Sequence, residues 1–568
     1  MKNDWTKMGA FALGMTLALL FAPCLPASAQ TIPGCMQTDL QDLANNISAF
    51  AVTITSATPT YVPSTTIAFC DVTGDITTED PGPNTVEFEL GLPASFNKRF
   101  LFLGGGGFNG YIPAGVVDDG VSAGFATAYT DSGHESVFAS NASLVALSAL
   151  DGSWGLLQPG NIPNTAAQVD FSYRGVHAST VVAQSITTGY YDGPLISYFD
   201  GCSTGGREAL VEAQLFPDDY NGIVAGDPAI SDPIAGFNWN DEALLSSSDA
   251  YLSNTAVAIL DAAVTAACDG SDGVIDGLIE DPRLCKFDPA SIECKGGNTS
   301  NCLTAAQVAT VKAIQAGARA EDGTQLYPGY TLSNPGGTDG WIEWITGLVT
   351  PTMPPPEPWG DPPASLATAP LQWSFQDQFL KYFVFNDPTY DSLTFDFNGS
   401  DVAKLEEVVA RYGGNGEDTD LSPFFANGGK LIMYHGWSDP ALTPFVSVDY
   451  YSAVAKTLGG GFKHLQNNAR LFMVPGMHHC TGGPGPYDFD PLTPLIGWVE
   501  AGVAPDRIIG EVPAGPEAGR TFPLCPFPSL AVYQGGGVDD AANWVCKAHT
   551  NHRFGRGNSH KGHQHGTR

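Results

Sequence analysis

Leu195-Ile196-Ser197-Tyr198-Phe199-Asp200-Gly201-Cys202-Ser203-Thr204-Gly205 carries an apolar run straight into a glycine-flanked serine, and Arg207 to Leu215 follow with helical apolar spacing. A short apolar run bounded by glycine reads as a buried strand. The order is therefore strand, tight turn, helix, with Ser203 at the apex. Gly-x-Ser-x-Gly is common by itself, and its plain alternative is a structural turn. Between a buried strand and a helix it has the context of a nucleophile elbow, in which the turn lifts the hydroxyl off the sheet. The helix N-terminus then favours the negative charge that develops during attack.

Working outward, the same texture recurs. Arg99-Phe100-Leu101-Phe102-Leu103 runs into the glycine-rich loop 104–110, and Gly222-Ile223-Val224-Ala225-Gly226 follows the serine helix. Lys430-Leu431-Ile432-Met433-Tyr434 and Ala469-Arg470-Leu471-Phe472-Met473-Val474 come much later. Apolar strands separated by helical stretches predict an α/β fold with a mostly parallel, doubly wound sheet. Such sheets place their ligands at the C-terminal ends of the strands. Between residues 230 and 419 the pattern breaks: four cysteines, an acidic loop, the Pro-rich stretch Pro351 to Pro363 and the tryptophans Trp341, Trp344, Trp359 and Trp373. This segment reads as a large lid domain inserted between two catalytic stretches, 30–229 and 420–551.

A serine hydroxyl needs a base, and the base needs an acid to hold its tautomer. His479 follows the last strand, with His478 as the alternative. Asp439 follows the strand 430–434, with Asp227 as the alternative after the strand 222–226. The oxyanion hole takes two backbone N–H groups: Thr204, directly after the serine, and one from the loop 104–110. No Lys-Ser/Thr follows that loop, so it is not a phosphate-binding P-loop.

The 568 residues are 43% hydrophobic and 15% charged, with a formal net charge of −35, which argues against nucleic acid and anionic membrane as partners. Lys2 and Lys7, the apolar stretch from Met8 to Ala22 and Ala27-Ser28-Ala29 read as an export signal over 1–29, hence a secreted or periplasmic protein. A membrane anchor is the alternative, for which the stretch is short. The tail 552–568 is basic, His- and Gly-rich, lacks apolar residues and reads as disordered. Of the 11 cysteines, setting Cys24 aside leaves 10. In an oxidising compartment, pairing by proximity gives Cys35 with Cys70, Cys268 with Cys285, Cys294 with Cys302 and Cys525 with Cys546. Cys202 and Cys480 are left for each other, beside the candidate nucleophile and base; connectivity is not fixed by sequence alone. A zinc site lacks a Cys-x-x-Cys pair.

Cys268-Asp269-Gly270-Ser271-Asp272-Gly273-Val274-Ile275-Asp276-Gly277-Leu278 is a second motif. The carboxylates of Asp269, Asp272 and Asp276, with the carbonyls of Val274 and Leu278, suit a structural calcium ion with its six to eight oxygens. The spacing is not that of an EF-hand, and a bare acidic loop is the alternative.

Cys202-Ser203, Asp439 and His479-Cys480 together resemble the Cys-Ser, Asp, His-Cys arrangement of the tannase and feruloyl esterase family, which also holds the hydrolase of mono(2-hydroxyethyl) terephthalate. The resemblance implies an α/β-hydrolase with a Ser203, Asp439, His479 triad, a lid calcium, and small aromatic esters as substrates. These would be feruloyl, hydroxycinnamoyl or galloyl esters, some attached to plant polysaccharide or polyphenol. By family position the oxyanion donors are Thr204 and Gly110, and His435 is a residue of the substrate pocket. No arginine lies between Ala320 and Ala410, which disfavours a lid grip on a free carboxylate and so the terephthalate-type substrate. A serine peptidase, a lipase and a non-catalytic secreted binding protein remain as other readings, and the sequence names no oligomeric state.

Overall fold

The computed structural model describes residues 32–548, apart from Ser64, 297–299, 353–357, 361–363 and 412–413. The export signal and the basic tail lie outside the described residues. The main sheet has nine strands. In chain order they are β1 (Ala51–Tyr61), β2 (Ala68–Thr78), β3 (Asn84–Pro93), β4 (Arg99–Leu103), β5 (Ala126–Thr130), β6 (Ile196–Cys202), β7 (Gly222–Gly226), β8 (Lys430–Gly436) and β9 (Ala469–Val474). Their spatial order is β1-β2-β3-β5-β4-β6-β7-β8-β9.

The six strands from β5 to β9 in that order run parallel, and β1, β2 and β3 extend the sheet antiparallel. The sequence explains the difference. In β3, Val86, Phe88 and Leu90 are buried while Glu87 and Glu89 point the other way, the alternation of a sheet covered on one face. The parallel strands are mostly apolar because both faces are covered. Phe100, Phe102, Phe199, Ile223, Leu431 and Leu471 pack into one core. Their neighbours Leu101, Tyr198, Val224, Ile432 and Phe472 pack into a second core on the opposite face.

Among the described residues, 227–429 add no strand to this sheet. They supply helices, among them α2 (Pro233–Leu245), which follows α1 (Thr204–Leu215), then α3 (Asn254–Cys268), α4 (Leu371–Phe379) and α5 (Ser400–Arg411). Buried amides tie α2 to α4: Asn238 Nδ2 donates to Gln376 Oε1 at 2.9 Å and Asn240 Nδ2 to Gln372 Oε1 at 3.0 Å. Phe237, Val257 and Leu380 of this segment pack in the same core as Phe100 and Phe199 of the sheet. The excursion between β7 and β8 therefore shares the core of the sheet.

The five disulfides are Cys35–Cys70, Cys202–Cys480, Cys268–Cys285, Cys294–Cys302 and Cys525–Cys546. Four close short loops. The fifth spans 278 positions and joins the end of β6 to the turn after β9.

Candidate active site

Ser203 stands between β6 and α1 with φ 64° and ψ −120°, a conformation that costs a non-glycine residue of order 1–3 kcal/mol. Its surroundings hold it there. The Ser203 N–H donates to the Gly226 carbonyl at 3.0 Å, and the Ser203 carbonyl accepts from Arg207 and Ala229, each at 3.0 Å. The flanking glycines are obligatory: a Cβ on Gly201 would lie 2.5 Å from the Gly205 carbonyl oxygen, and one on Gly206 would lie 2.2 Å from that of Gly226. The turn is thus locked against β4 and β7, with the serine side chain at the wall of a cavity.

His479 lines the same cavity. Its Nδ1 is 2.8 Å from Asp439 Oδ2, and Asp439 Oδ1 accepts from the Ala441 and Leu442 N–H groups at 2.7 and 2.9 Å. Burial resists the charge of Asp439, but His479 and His435 beside it hold its carboxyl well below the usual carboxylate range. Burial likewise opposes a charged His479, and the Asp439 carboxylate outweighs it, raising the imidazole above its ordinary 6.5. The Trp344 ring stands edge-on to His479, centroids 4.8 Å apart.

The two alternatives take other places. His478 is buried, with Nε2 2.9 Å from the Asn334 carbonyl and Nδ1 3.2 Å from Asp339 Oδ2. Asp227 is wholly buried; its two oxygens accept from the Gly436 N–H and the Cys480 N–H, both at 2.8 Å. Asp227 therefore ties the end of β8 to the turn that carries His479. Burial raises its carboxyl to about 6, against the pull of His435.

Two positions carried over from the family are corrected. Gly110 does not face the cavity, and its N–H already donates to the Asp131 carbonyl at 3.3 Å. In the same loop Gly107 lines the cavity with Ser203 and Thr204, and Thr204 Oγ1 donates to the Gly107 carbonyl at 2.7 Å. Of the loop 104–110, Gly107 and Phe108 are the residues at the cavity wall. His435 is wholly buried and touches no part of the cavity: its Nδ1 is 2.8 Å from Ser447 Oγ and its Nε2 lies 3.0 Å from the Leu442 carbonyl and 3.3 Å from Asp439 Oδ2. It stands behind Asp439 and Leu442 and is not itself among the residues of the cavity wall.

The sequence reading missed the cavity wall. Phe108, Phe171, Trp344, Phe375, Phe379 and Phe383 surround the serine and histidine. Phe379 and Phe383 stack at 4.9 Å, and Phe108 packs on Phe375 at 5.4 Å and Phe383 at 5.8 Å. The spacing of Phe375, Phe379 and Phe383, one every four residues, marks one face of a helix and was the available signal.

The acidic loop lies away from the cavity. Asp269 accepts from the Asp276 and Gly277 N–H groups, both at 3.0 Å, and Asp272 accepts from the Val274 N–H at 2.9 Å. Asp276 accepts from the Leu278 N–H at 3.2 Å and pairs with the buried Arg520. Burial first, and then the neighbouring acids, raise Asp272 to about 6 and Glu280 to about 8.

A model of the family described as "Tannase and feruloyl esterase" matches residues 70–547. The chain is 33% identical to mono(2-hydroxyethyl) terephthalate hydrolase of Piscinibacter sakaiensis, over 84% of this chain and 85% of that one. It is 30% identical to a probable feruloyl esterase B-2 of Aspergillus flavus, over 89% and 94%. In structure it resembles feruloyl esterase B from Aspergillus oryzae, with a TM-score of 0.74, 28% identity and coverage of 90% of this chain and 100% of that one.

Proposed function

From its membership of the tannase and feruloyl esterase family, which makes this chain a carboxylic ester hydrolase, we propose that it cleaves esters of aromatic acids, of feruloyl, hydroxycinnamoyl or galloyl type, with Ser203, His479 and Asp439 as its triad. The observation that carries this reading is the shared cavity: a strained serine and an acid-paired histidine open into one space walled by aromatic rings. Flat acyl groups stack on such walls.

In the proposed reaction His479 takes the hydroxyl proton as Ser203 attacks the ester carbonyl. The oxyanion rests on the Thr204 and Gly107 N–H groups, where preorganised donors act in a water-poor setting. His479 then gives its proton to the leaving alcohol or phenol, and water releases the acid by the same steps in reverse. Asp439 stabilises the imidazolium throughout. Initial rates on methyl ferulate, methyl gallate and mono(2-hydroxyethyl) terephthalate test the reading, with a serine-directed organophosphate as label. Turnover of at least one ester and label on the Ser203 peptide are expected; active label incorporation without turnover of any of the three would overturn the aromatic-acid assignment.

A pH profile tests the base. His479 must be neutral to accept a proton, and Asp439 raises its pKa, so kcat/KM falls as pH drops through that raised value. The acid limb is expected above 6.5, the ordinary imidazole value. A limb below that value would place the essential base elsewhere.

The acidic loop suits a structural calcium ion, with Asp269, Asp272 and Asp276 and the carbonyls of Val274 and Leu278 as its holders. The support is the sequence of the loop, three carboxylates within eight residues and of the hard-oxygen type that calcium takes; in the structure they accept from N–H groups of the loop, and Asp276 pairs with Arg520. Chelation is expected to lower Tm and calcium to restore it, read by calorimetry with and without EDTA; an unchanged Tm would refute the site. Five disulfides favour an oxidising compartment, and secretion is the reading they support. Among the described residues no helix is long and apolar enough to cross a membrane.

A further inference from the structure

The cavity is apolar along most of its wall, and Asp232 is the one acidic residue among the described residues that line it. Asp232 lines the cavity with Ser203, and its Oδ1 is buried without a hydrogen-bond partner. It precedes α2 as the N-cap residue; its side chain makes no capping bond of good geometry, although the Ile234 N–H of the first turn stands close enough to pull its pKa down a little. Ser231 and Asp232 also hold φ of 63° and 52°, two successive non-glycine residues in the left-handed region. Strain of that kind persists where the surroundings over-determine it, and it gathers at ligand sites.

The reach is short. Ala229 donates its N–H to the Ser203 carbonyl at 3.0 Å, and Asp232 comes three residues later, a span of at most about 11 Å. A one-ring acyl group held on Ser203 can therefore bring a ring substituent to Asp232. The nearby charge is negative. Burial, then Glu417 and Glu406, raise the Asp232 carboxyl to about 7. The one guanidinium at this wall, Arg207, is committed elsewhere: it donates to the carbonyls of Ser172 and Gly414 at 2.7 Å each and of Phe171 at 3.1 Å, and lies over the Phe171 ring.

We propose that Asp232 is the specificity-determining residue of the acyl pocket, accepting a hydrogen bond from a phenolic hydroxyl on the aromatic ring and rejecting rings that carry a free carboxylate. This rests on the aromatic-ester reading above and names the residue that reads the ring substituent. An unpartnered buried oxygen is satisfied by a hydroxyl donor, whereas a carboxylate placed beside Asp232, Glu406 and Glu417 meets like charge.

The experiment compares kcat/KM for methyl 4-hydroxycinnamate, methyl cinnamate and monomethyl terephthalate in the wild type, Asp232→Asn and Asp232→Leu. The wild type is expected to prefer the hydroxylated ester over methyl cinnamate by about 10- to 100-fold, the range of a charge-assisted hydrogen bond. Asp232→Leu is expected to bring that ratio close to one, mainly through KM, and Asp232→Asn to raise the relative rate on monomethyl terephthalate. A purely structural role moves all three esters together and leaves the ratios alone. Unchanged ratios in folded variants would overturn the proposal while leaving the aromatic-ester reading intact. Failure of the wild type on all three, with Ser203 still labelled by organophosphate, would overturn both.

Discussion

Ser203→Ala is expected to lower kcat for ester hydrolysis by about 10⁴- to 10⁶-fold, the loss seen when a catalytic nucleophile is removed while oxyanion donors and binding remain. The substitution removes only the hydroxyl oxygen. Alanine keeps the Cβ and shares the strain of φ 64° at this turn, and the backbone bonds to Gly226, Arg207 and Ala229 are untouched. Stability should therefore change by no more than about 0.5 kcal/mol. Single-turnover kinetics with thermal unfolding separate the two quantities. Turnover above about one percent of wild type in a homogeneous sample would remove Ser203 from the mechanism.

Removing the Cys202–Cys480 bond, as Cys202→Ala with Cys480→Ala, is expected to act on both stability and rate. A cross-link across 278 positions restricts the unfolded chain by an amount on the order of 5 kcal/mol, an upper figure in the chain-entropy model. The rate effect arises because each cysteine adjoins a residue of the proposed triad, Ser203 or His479. Asp227 still holds the Cys480 N–H, so the histidine turn keeps one anchor and loses the covalent one. A displacement of about 1 Å between base and nucleophile reduces the rate by about 10²-fold. Denaturant midpoints and kcat on one ester read the two effects. A folded double variant with wild-type kcat would reduce the bond to a stabilising clip.

The parallel strands were legible because burial on both faces forces unbroken apolar runs, as in Phe100 to Phe102 and Leu431 to Met433. That Ser203 and His479 line one cavity, with Asp439 beside His479, was legible for a related reason: each of the three follows such a run. Gly110 and His435 were misread because a position along the chain does not say which N–H is already bonded or which ring faces inward. The Asp131 carbonyl that takes up Gly110, and the Ser447 hydroxyl beside His435, come from other elements. The aromatic wall was hidden in another way. Phe375, Phe379 and Phe383 have the spacing of one helix face, and only their packing against Phe108, from the loop after β4, makes that face a cavity lining. Asp232 had no local signal among 60 acidic residues.

The bond from Cys202 to Cys480 also sets a schedule for biosynthesis. A chain made from its N-terminus at about 5–20 residues per second exposes Cys202 roughly 14–56 s before Cys480 exists. During that interval Cys268, Cys285, Cys294 and Cys302 emerge, all nearer in sequence and all wrong partners. The pairing that joins the Ser203 turn to the His479 turn is thus the one most exposed to thiol exchange with the newly made excursion. Yield of active enzyme will depend on the isomerase capacity of the host more than on its rate of translation.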